Sequence, residues 1–135
     1  MTPSMIRYYQ TTPRDRWDYT ATQQITLADL PLGEDGANRR VVMQAPKNGF
    51  FYVLDAADGE LISATPFTSQ NWTTGKFDEN GRPELVEEAV DLALYAVVPG
   101  PTGAHNWHPM AFNPDTGLVY IPVNEIPFFY DKTRN

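Results

Sequence analysis

At 135 residues, 41% of them hydrophobic and 13% aromatic, the chain has room for one domain and enough apolar material to bury a core. A net charge of −7 and a pI near 4.6 exclude a surface built to attract nucleic acid or anionic membrane. With no cysteine there is no disulfide framework, no thiolate metal site and no cysteine nucleophile. Residues 5–10 read as a strand that begins abruptly, a first sign of a fragment, and a loop centred on Pro13 follows and ends at Trp17-Asp18. Gln23–Leu30 alternates weakly and predicts a strand. Pro31–Asn38 is a polar turn with Gly33 and Asp35-Gly36. Arg39–Ala45, Gly49–Leu54 and Glu60–Ala64 are three further strands, the last two joined by Asp55-Ala56-Ala57-Asp58-Gly59. Short strands at intervals of roughly ten residues mark an antiparallel sandwich, barrel or propeller. The twelve prolines and nine glycines suit that pattern better than long helices.

Gln70–Pro83 reads as a long polar loop around Trp72, and residues 84–95 as one short helix with a shared apolar face. Met110–Phe112 and Leu118–Val123 form a hairpin about Asn113-Pro114-Asp115-Thr116-Gly117. That turn and the one at Asp55–Gly59 are alike, each a small acidic turn ending in glycine beside an apolar strand. Recurrence of one strand–turn unit points to a repeated element such as a propeller blade. At roughly 40–45 residues per blade, the chain holds about three, too few to close a ring. No signal-peptide pattern opens the chain, and no run approaches the ~18 apolar residues of a membrane span.

Four residues stand out for chemistry. Asp18 follows Trp17, and a carboxylate packed beside an indole becomes a stronger base. The plainer alternative for Asp18 is a turn cap or a pair with Arg14 or Arg16. Lys47 sits between Pro46 and Asn48-Gly49 on a stiff loop tip, either as a cationic donor to a ligand oxygen or as a solvated turn lysine. Asn106 can donate and accept in a pocket, and Trp107 can stack on a flat ligand. His105 and His108 have no third ligand nearby and read as loop histidines satisfied by backbone groups. There is no Gly-x-Ser-x-Gly elbow and no phosphate-cradling glycine loop. Val97, Val98 and Trp72 are either packed or at a substrate mouth.

Three segments, in order and spacing, resemble the pyrroloquinoline quinone (PQQ)-dependent alcohol dehydrogenases. They are Thr11-Thr12-Pro13-x-Asp15-x-Trp17-Asp18-Tyr19, Gln44-Ala45-Pro46-Lys47-Asn48-Gly49 and Gly103-Ala104-His105-Asn106-Trp107-His108-Pro109. The resemblance implies an all-β partial propeller, residues 1–135 being about three blades of an eight-bladed quinoprotein propeller with a long loop and one short helix. By the same resemblance Asp18 is the catalytic base and a possible metal contact, while Lys47, Asn106 and Trp107 bind the cofactor. It implies PQQ with Ca²⁺ as a Lewis acid, oxidation of primary alcohols to aldehydes, a periplasmic location and a cytochrome c acceptor or the remainder of the dehydrogenase as partner. Lanthanide-using relatives carry a second aspartate two residues beyond the base, where this chain has Thr20, so calcium is favoured.

The family's main metal ligands and its vicinal cysteine pair lie upstream of the base, and the opposing tryptophan wall and any haem domain lie downstream. The expectation is therefore a chain carrying one side of a site and inactive alone. Two alternatives are a non-catalytic propeller scaffold for protein binding and a sugar- or polyol-oxidising quinoprotein. Retention of Asp18, Lys47 and Asn106 together separates the first from an enzyme.

Overall fold

A computed structural model describes residues 8–32, 36–93 and 96–130. Its centre is a four-stranded antiparallel meander of β1 (Ile25–Leu30), β2 (Arg39–Gln44), β3 (Phe50–Asp55) and β4 (Leu61–Pro66), paired in that order. Two two-stranded sheets accompany it: β5 (Thr73–Phe77) with β6 (Pro83–Leu85), and β7 (Ala111–Asn113) with β8 (Leu118–Tyr120). One helical turn, α1 (Glu87–Val90), lies between these two hairpins in the chain. The chain is all-β with one short helix, as its sequence predicts.

Strand β3 at the middle of the meander is covered on both faces, and the two-residue period of a strand decides which side chain goes where. Phe50 and Tyr52 of β3 enter a cluster with Trp17, Tyr19, Trp72, Ala89, Val90 and Val97. Val53, one residue on, joins Ala28, Val41, Met43, Ala45 and Met110 on the other side. Register runs Met43 to Val53 and Gln44 to Tyr52, and slips between Val53 and Leu54 where β3 meets β4. The first cluster is mainly aromatic, with Trp17 and Trp72 rings 5.6 Å apart and Phe50 edge-on to Phe77 at 5.1 Å.

The likeness between the Asp55 and Asn113 turns has a structural basis. In each the side-chain oxygen accepts the N–H two residues on, at 2.6 Å from Ala57 and 2.9 Å from Asp115. In each the closing glycine, Gly59 or Gly117, donates back to the first residue's carbonyl at 2.9 Å and takes a positive φ. A third copy occurs at Asp78, whose carboxylate accepts from Asn80 and Arg82 and whose carbonyl accepts from Gly81. Each of these three sheets thus carries at least one Asx-type turn that closes on a left-handed glycine.

Several expectations are corrected. The polar stretch 70–83 is not one long loop. It contains β5, and Trp72 is fully buried, its indole N–H donating to the Asn48 carbonyl at 3.0 Å. The helix expected over 84–95 is only Glu87–Val90, because Pro83–Leu85 pairs with β5 and Leu92 turns left-handed at φ 53°. Leu94 and Tyr95 lie outside the described residues. So do residues 5–7 of the expected first strand, while Tyr8–Gln10 are irregular backbone anchored by side chains, Tyr9 packing edge-on to Tyr52. Gly33 and Asp35 of the expected turn lie outside as well. Of the two readings of Val97 and Trp72 the packed one holds, Val97 being a core residue that bridges to Phe128.

The tyrosines of the aromatic side resist ionisation. Burial pushes Tyr9 up to about 12 and raises Tyr19 and Tyr52 further. These phenols keep their protons in the fold but lose them near the ordinary tyrosine value of 10.0 once unfolded. Their stabilisation is complete below 10.0 and is lost as pH rises through the folded values. Alkaline titration followed by tyrosinate absorbance and circular dichroism is expected to show Tyr9, Tyr19 and Tyr52 ionising together with unfolding. Their independent ionisation in a folded chain at ordinary tyrosine pH contradicts this. In denaturant titration Trp72→Ala is expected to cost about 3–5 kcal/mol, and Trp107→Ala less than about 0.5 kcal/mol because that ring is exposed.

Candidate functional site

The chain turns from β2 into β3 through Pro46-Lys47-Asn48-Gly49, where Gly49 donates to the Pro46 carbonyl and adopts φ 93°. Lys47 is 8% exposed, so it is not a solvated turn lysine. A buried ammonium needs a partner of opposite charge. Lys47 Nζ has one in Asp18, donating to its carbonyl at 3.0 Å and its Oδ2 at 3.1 Å. The ammonium has three N–H groups, and these contacts use two.

Asp18 is placed by its neighbours. Trp17 and Tyr19 on either side are both driven into the aromatic core, which turns the side chain between them outward, 68% exposed. Asp15 closes the turn, accepting the N–H groups of Trp17 at 2.9 Å and Tyr19 at 2.8 Å. Asp18 itself sits at φ 65°, a left-handed conformation that costs a non-glycine residue roughly 1 kcal/mol and that Asp tolerates better than most. Both sequence readings of Asp18 are thereby corrected. The indole of Trp17 points into the core and does not flank the carboxylate, the capping residue is Asp15, and Asp18 pairs with Lys47 rather than with Arg14 or Arg16. Arg14 pairs with Glu87 at 3.0 Å.

The third segment packs directly on Lys47. Ala104 donates to the Lys47 carbonyl at 2.9 Å, and Gly103, at φ 81°, passes so close that a Cβ there would fall 2.4 Å from Lys47 Cγ. His105 is fully buried, with Nδ1 2.5 Å from the Ala45 carbonyl and Nε2 2.6 Å from that of His108. Its ring serves the backbone, as its sequence context predicts. Asn106 follows on the surface side, its Nδ2 donating to Thr102 at 3.0 Å and its Oδ1 accepting from Gln23 Nε2 at 3.3 Å. Trp107 projects from the body, 87% exposed.

The structure therefore joins Asp18 to Lys47, seats the Asn106 loop on Lys47 and leaves Trp107 projecting beside it. The holding is done by residues to which the sequence reading gave only a turn or loop role, Asn48 and Gly103, and by Gln23, which it gave none at the site. Asn48, fully buried, fixes the lysine turn; Gly103 permits the close approach; Gln23 orients Asn106. Gly103 was signalled by the Gly-x-x-Gly spacing with Gly100, whereas the partners of Asn48 and Gln23 lie far away in sequence and leave no local mark. Among the described residues no three His, Asp or Glu side chains gather as a metal site.

Residues 4–74, just over half of the chain, match the family described as PQQ: glucose/ethanol/alcohol dehydrogenase, beta-propeller domain. The chain belongs to this PQQ dehydrogenase propeller family. It is 52% identical over 136 residues to the quinohemoprotein alcohol dehydrogenase ADH-IIG of Pseudomonas putida, a match covering 96% of this chain and 18% of that protein. The 1-butanol dehydrogenase (cytochrome c) of Thauera butanivorans is 47% identical over 135 residues, 99% of this chain and 19% of its own length. The solved structure of P. putida ADHIIG superposes with a TM-score of 0.81 at 54% identity, covering 88% of this chain and 18% of that one. A europium-containing methanol dehydrogenase superposes with a TM-score of 0.76 at 35% identity, covering 86% and 20%. This PQQ-family chain thus spans about one fifth of the length of the curated relatives it matches. Its sheets are a part of a propeller.

Gly103→Ala tests the close packing at the site. The added methyl meets Lys47 backbone and side chain and the alanine must hold a positive φ, so the expected loss is about 2–4 kcal/mol in chemical denaturation. Gly75→Ala is the control, with the same sign of φ and nothing within 4 Å of its Cβ. It is expected to lose only about 1 kcal/mol.

Proposed function

We propose that this chain forms one side of the active site of a PQQ-dependent alcohol dehydrogenase, in which Asp18 is the catalytic base and Lys47, Asn106 and Trp107 contact the quinone. The observation that carries the proposal is the buried Lys47 ammonium 3.1 Å from the exposed Asp18 carboxylate, with the Asn106 loop packed on the same lysine. A scaffold has no use for a left-handed aspartate and a buried lysine held in register across 29 residues. Such strain at a polar site is a mark of function.

The donor set fits a quinone. An unused N–H on Lys47 and one on Asn106 both seek acceptor oxygens, and the projecting Trp107 offers a flat face to a planar ring system. When bound, PQQ with its cation supplies the hydride acceptor and the Lewis acid. The rest is the work of this chain's residues. Asp18 takes the hydroxyl proton of the alcohol on its carboxylate. Lys47 holds that carboxylate through Oδ2 and the Asp18 carbonyl, and donates to an oxygen on which negative charge develops. Asn106 donates beside it. The described residues alone do not make up a metal site, so the cation would be held largely by other parts of the polypeptide, with Asp18 as one contact.

The finer features follow the family. Calcium is the proposed cation, with Thr20 at the position where lanthanide-using relatives carry aspartate. Primary alcohols are the proposed substrates, the periplasm the compartment, and a cytochrome c-type protein the electron acceptor, in keeping with the name of the T. butanivorans relative. No helix among the described residues is long and apolar enough to cross a membrane.

Two measurements test this reading. First, the 135-residue chain replaces the corresponding segment of P. putida ADH-IIG. The chimera is expected to keep PQQ- and Ca²⁺-dependent dye reduction with primary alcohols, and Asp18→Asn within it to lower turnover by about 10²–10⁴. Undiminished turnover in a folded Asp18→Asn chimera refutes the base. Second, the purified chain alone, given PQQ and Ca²⁺, is expected to reduce no dye; sustained turnover would show that it carries a whole site.

A further inference from the structure

We infer that Gln23 is a positioning residue that fixes which end of the Asn106 carboxamide is oxygen and so leaves an Nδ2 hydrogen to donate to the bound ligand. Gln23 is 6% exposed on the loop entering β1. Its backbone carbonyl accepts from Gln44 Nε2 at 2.8 Å, and the same Gln44 nitrogen donates to Ala21 at 2.9 Å. The side chain then donates from Nε2 to Asn106 Oδ1 at 3.3 Å. Asn106 is held from its other end too, because Nδ2 donates to the Thr102 carbonyl at 3.0 Å.

The two contacts leave no freedom in either amide. Turning Asn106 over would set its oxygen against the Thr102 carbonyl oxygen. Turning Gln23 over would set its oxygen against Asn106 Oδ1. In a network of this kind the partners decide which end of an amide is oxygen.

Gln23 Oε1 shows the cost. It is buried and has no hydrogen-bond partner among the described residues. A glutamine placed only for packing would settle with both ends satisfied, and buried polar side chains nearly always do. Here the acceptor end goes unmet while the donor end is spent on Asn106. The result is an asparagine whose oxygen is engaged by Gln23 and whose second Nδ2 hydrogen is left for an acceptor atom, on the loop that packs on Lys47. A fixed donor of this kind favours a ligand edge that carries oxygen acceptors over one that carries donors.

This inference rests on the quinone reading only for the identity of the ligand. The test uses ¹⁵N-labelled 135-residue chain and nuclear magnetic resonance, with PQQ plus Ca²⁺ as the probe, since shift titration registers weak binding. Gln23→Glu puts an acceptor of the same shape where the donor was, and Gln23→Met removes the donor. Without ligand, Gln23→Glu is expected to turn the Asn106 amide over and displace its side-chain N–H signals. With ligand, Gln23→Glu is expected to weaken binding about tenfold and Gln23→Met about threefold. In an Asn106→Ala background either change is expected to alter affinity less than about twofold.

Equal losses with and without Asn106 would overturn the inference, as would Asn106 signals that ignore Gln23→Glu. Loss of the folded backbone spectrum in both variants would also overturn it, making Gln23 a core residue only. If PQQ moves no signal of Lys47 or Asn106 in the unmodified chain, the quinone reading falls instead. The ligand-free Asn106 signals then still decide the role of Gln23.

Discussion

Everything at the site hangs on one buried carboxamide. Asn48 Nδ2 donates to the Thr11 carbonyl at 3.0 Å, to Thr12 Oγ1 at 3.2 Å and to the Tyr52 hydroxyl at 2.9 Å. Its Oδ1 accepts the N–H of Phe50 at 3.1 Å, and its carbonyl accepts the indole N–H of Trp72. One residue thereby ties the segment before Trp17 and the start of β3 through its side chain, and the entry to β5 through its backbone carbonyl, to the same point. Neutral hydrogen bonds contribute on the order of 1 kcal/mol each, but a buried cluster is worth more for what its loss would strand. The Thr12 hydroxyl would lose this partner, and the Thr11 carbonyl would keep only the Tyr52 hydroxyl.

That anchor explains how two loops far apart in sequence meet at one lysine. Fixing Asn48 fixes Lys47 beside it, and fixing Thr11 and Thr12 brings Asp15 and the Trp17–Tyr19 turn within reach of the ammonium. Neither partner of the ion pair has freedom to relax. Asp18 is pinned by two buried aromatic neighbours, and Lys47 is walled by Gly103. Because Asp18 stays largely exposed, the pair adds little to stability. Its value is geometric, a carboxylate and an ammonium set in fixed relation at the surface of a rigid sheet.

The legible and illegible parts of the sequence divide along the range of the forces involved. Strands β2, β3 and β4 announce themselves within one or two residues because alternation and β-branched or aromatic side chains are local properties. The Asx turns at Asp55 and Asn113 are equally local, the side chain bonding its own backbone two residues on. The β5–β6 hairpin hid because Thr73-Thr74-Gly75-Lys76-Phe77 has a polar exposed middle, and its register is irregular between Thr73 and Phe77. The helix was overdrawn because apolar spacing in 84–95 says nothing of Pro83–Leu85 being claimed by β5. At the site, the three segments and their order point to Asp18, Lys47 and Asn106. The residues that hold them, Asn48 and Gln23, act across 36 to 83 positions, a distance at which a single sequence gives no signal.

The distribution of exposed apolar surface separates the site from the unfinished part of the fold. Ile25 and Leu27 on the edge strand β1, and Leu118 and Tyr120 on β8, lie half exposed or more. Edge strands of this kind are where further sheet packs in a propeller, and the chain accounts for about one fifth of its relatives' length. The Lys47 turn is different. Its walls are Gly103 and Ala104, its anchor Asn48 and its counter-charge Asp18, all within these residues, and His105 pins the Asn106 loop to the end of β2 through Ala45. Donor geometry is therefore a local property of this segment, whereas enclosure of a ligand is a property of surfaces that reach beyond it. A polar site can be preorganised by a fraction of a propeller because its restraints are short hydrogen bonds between neighbouring loops.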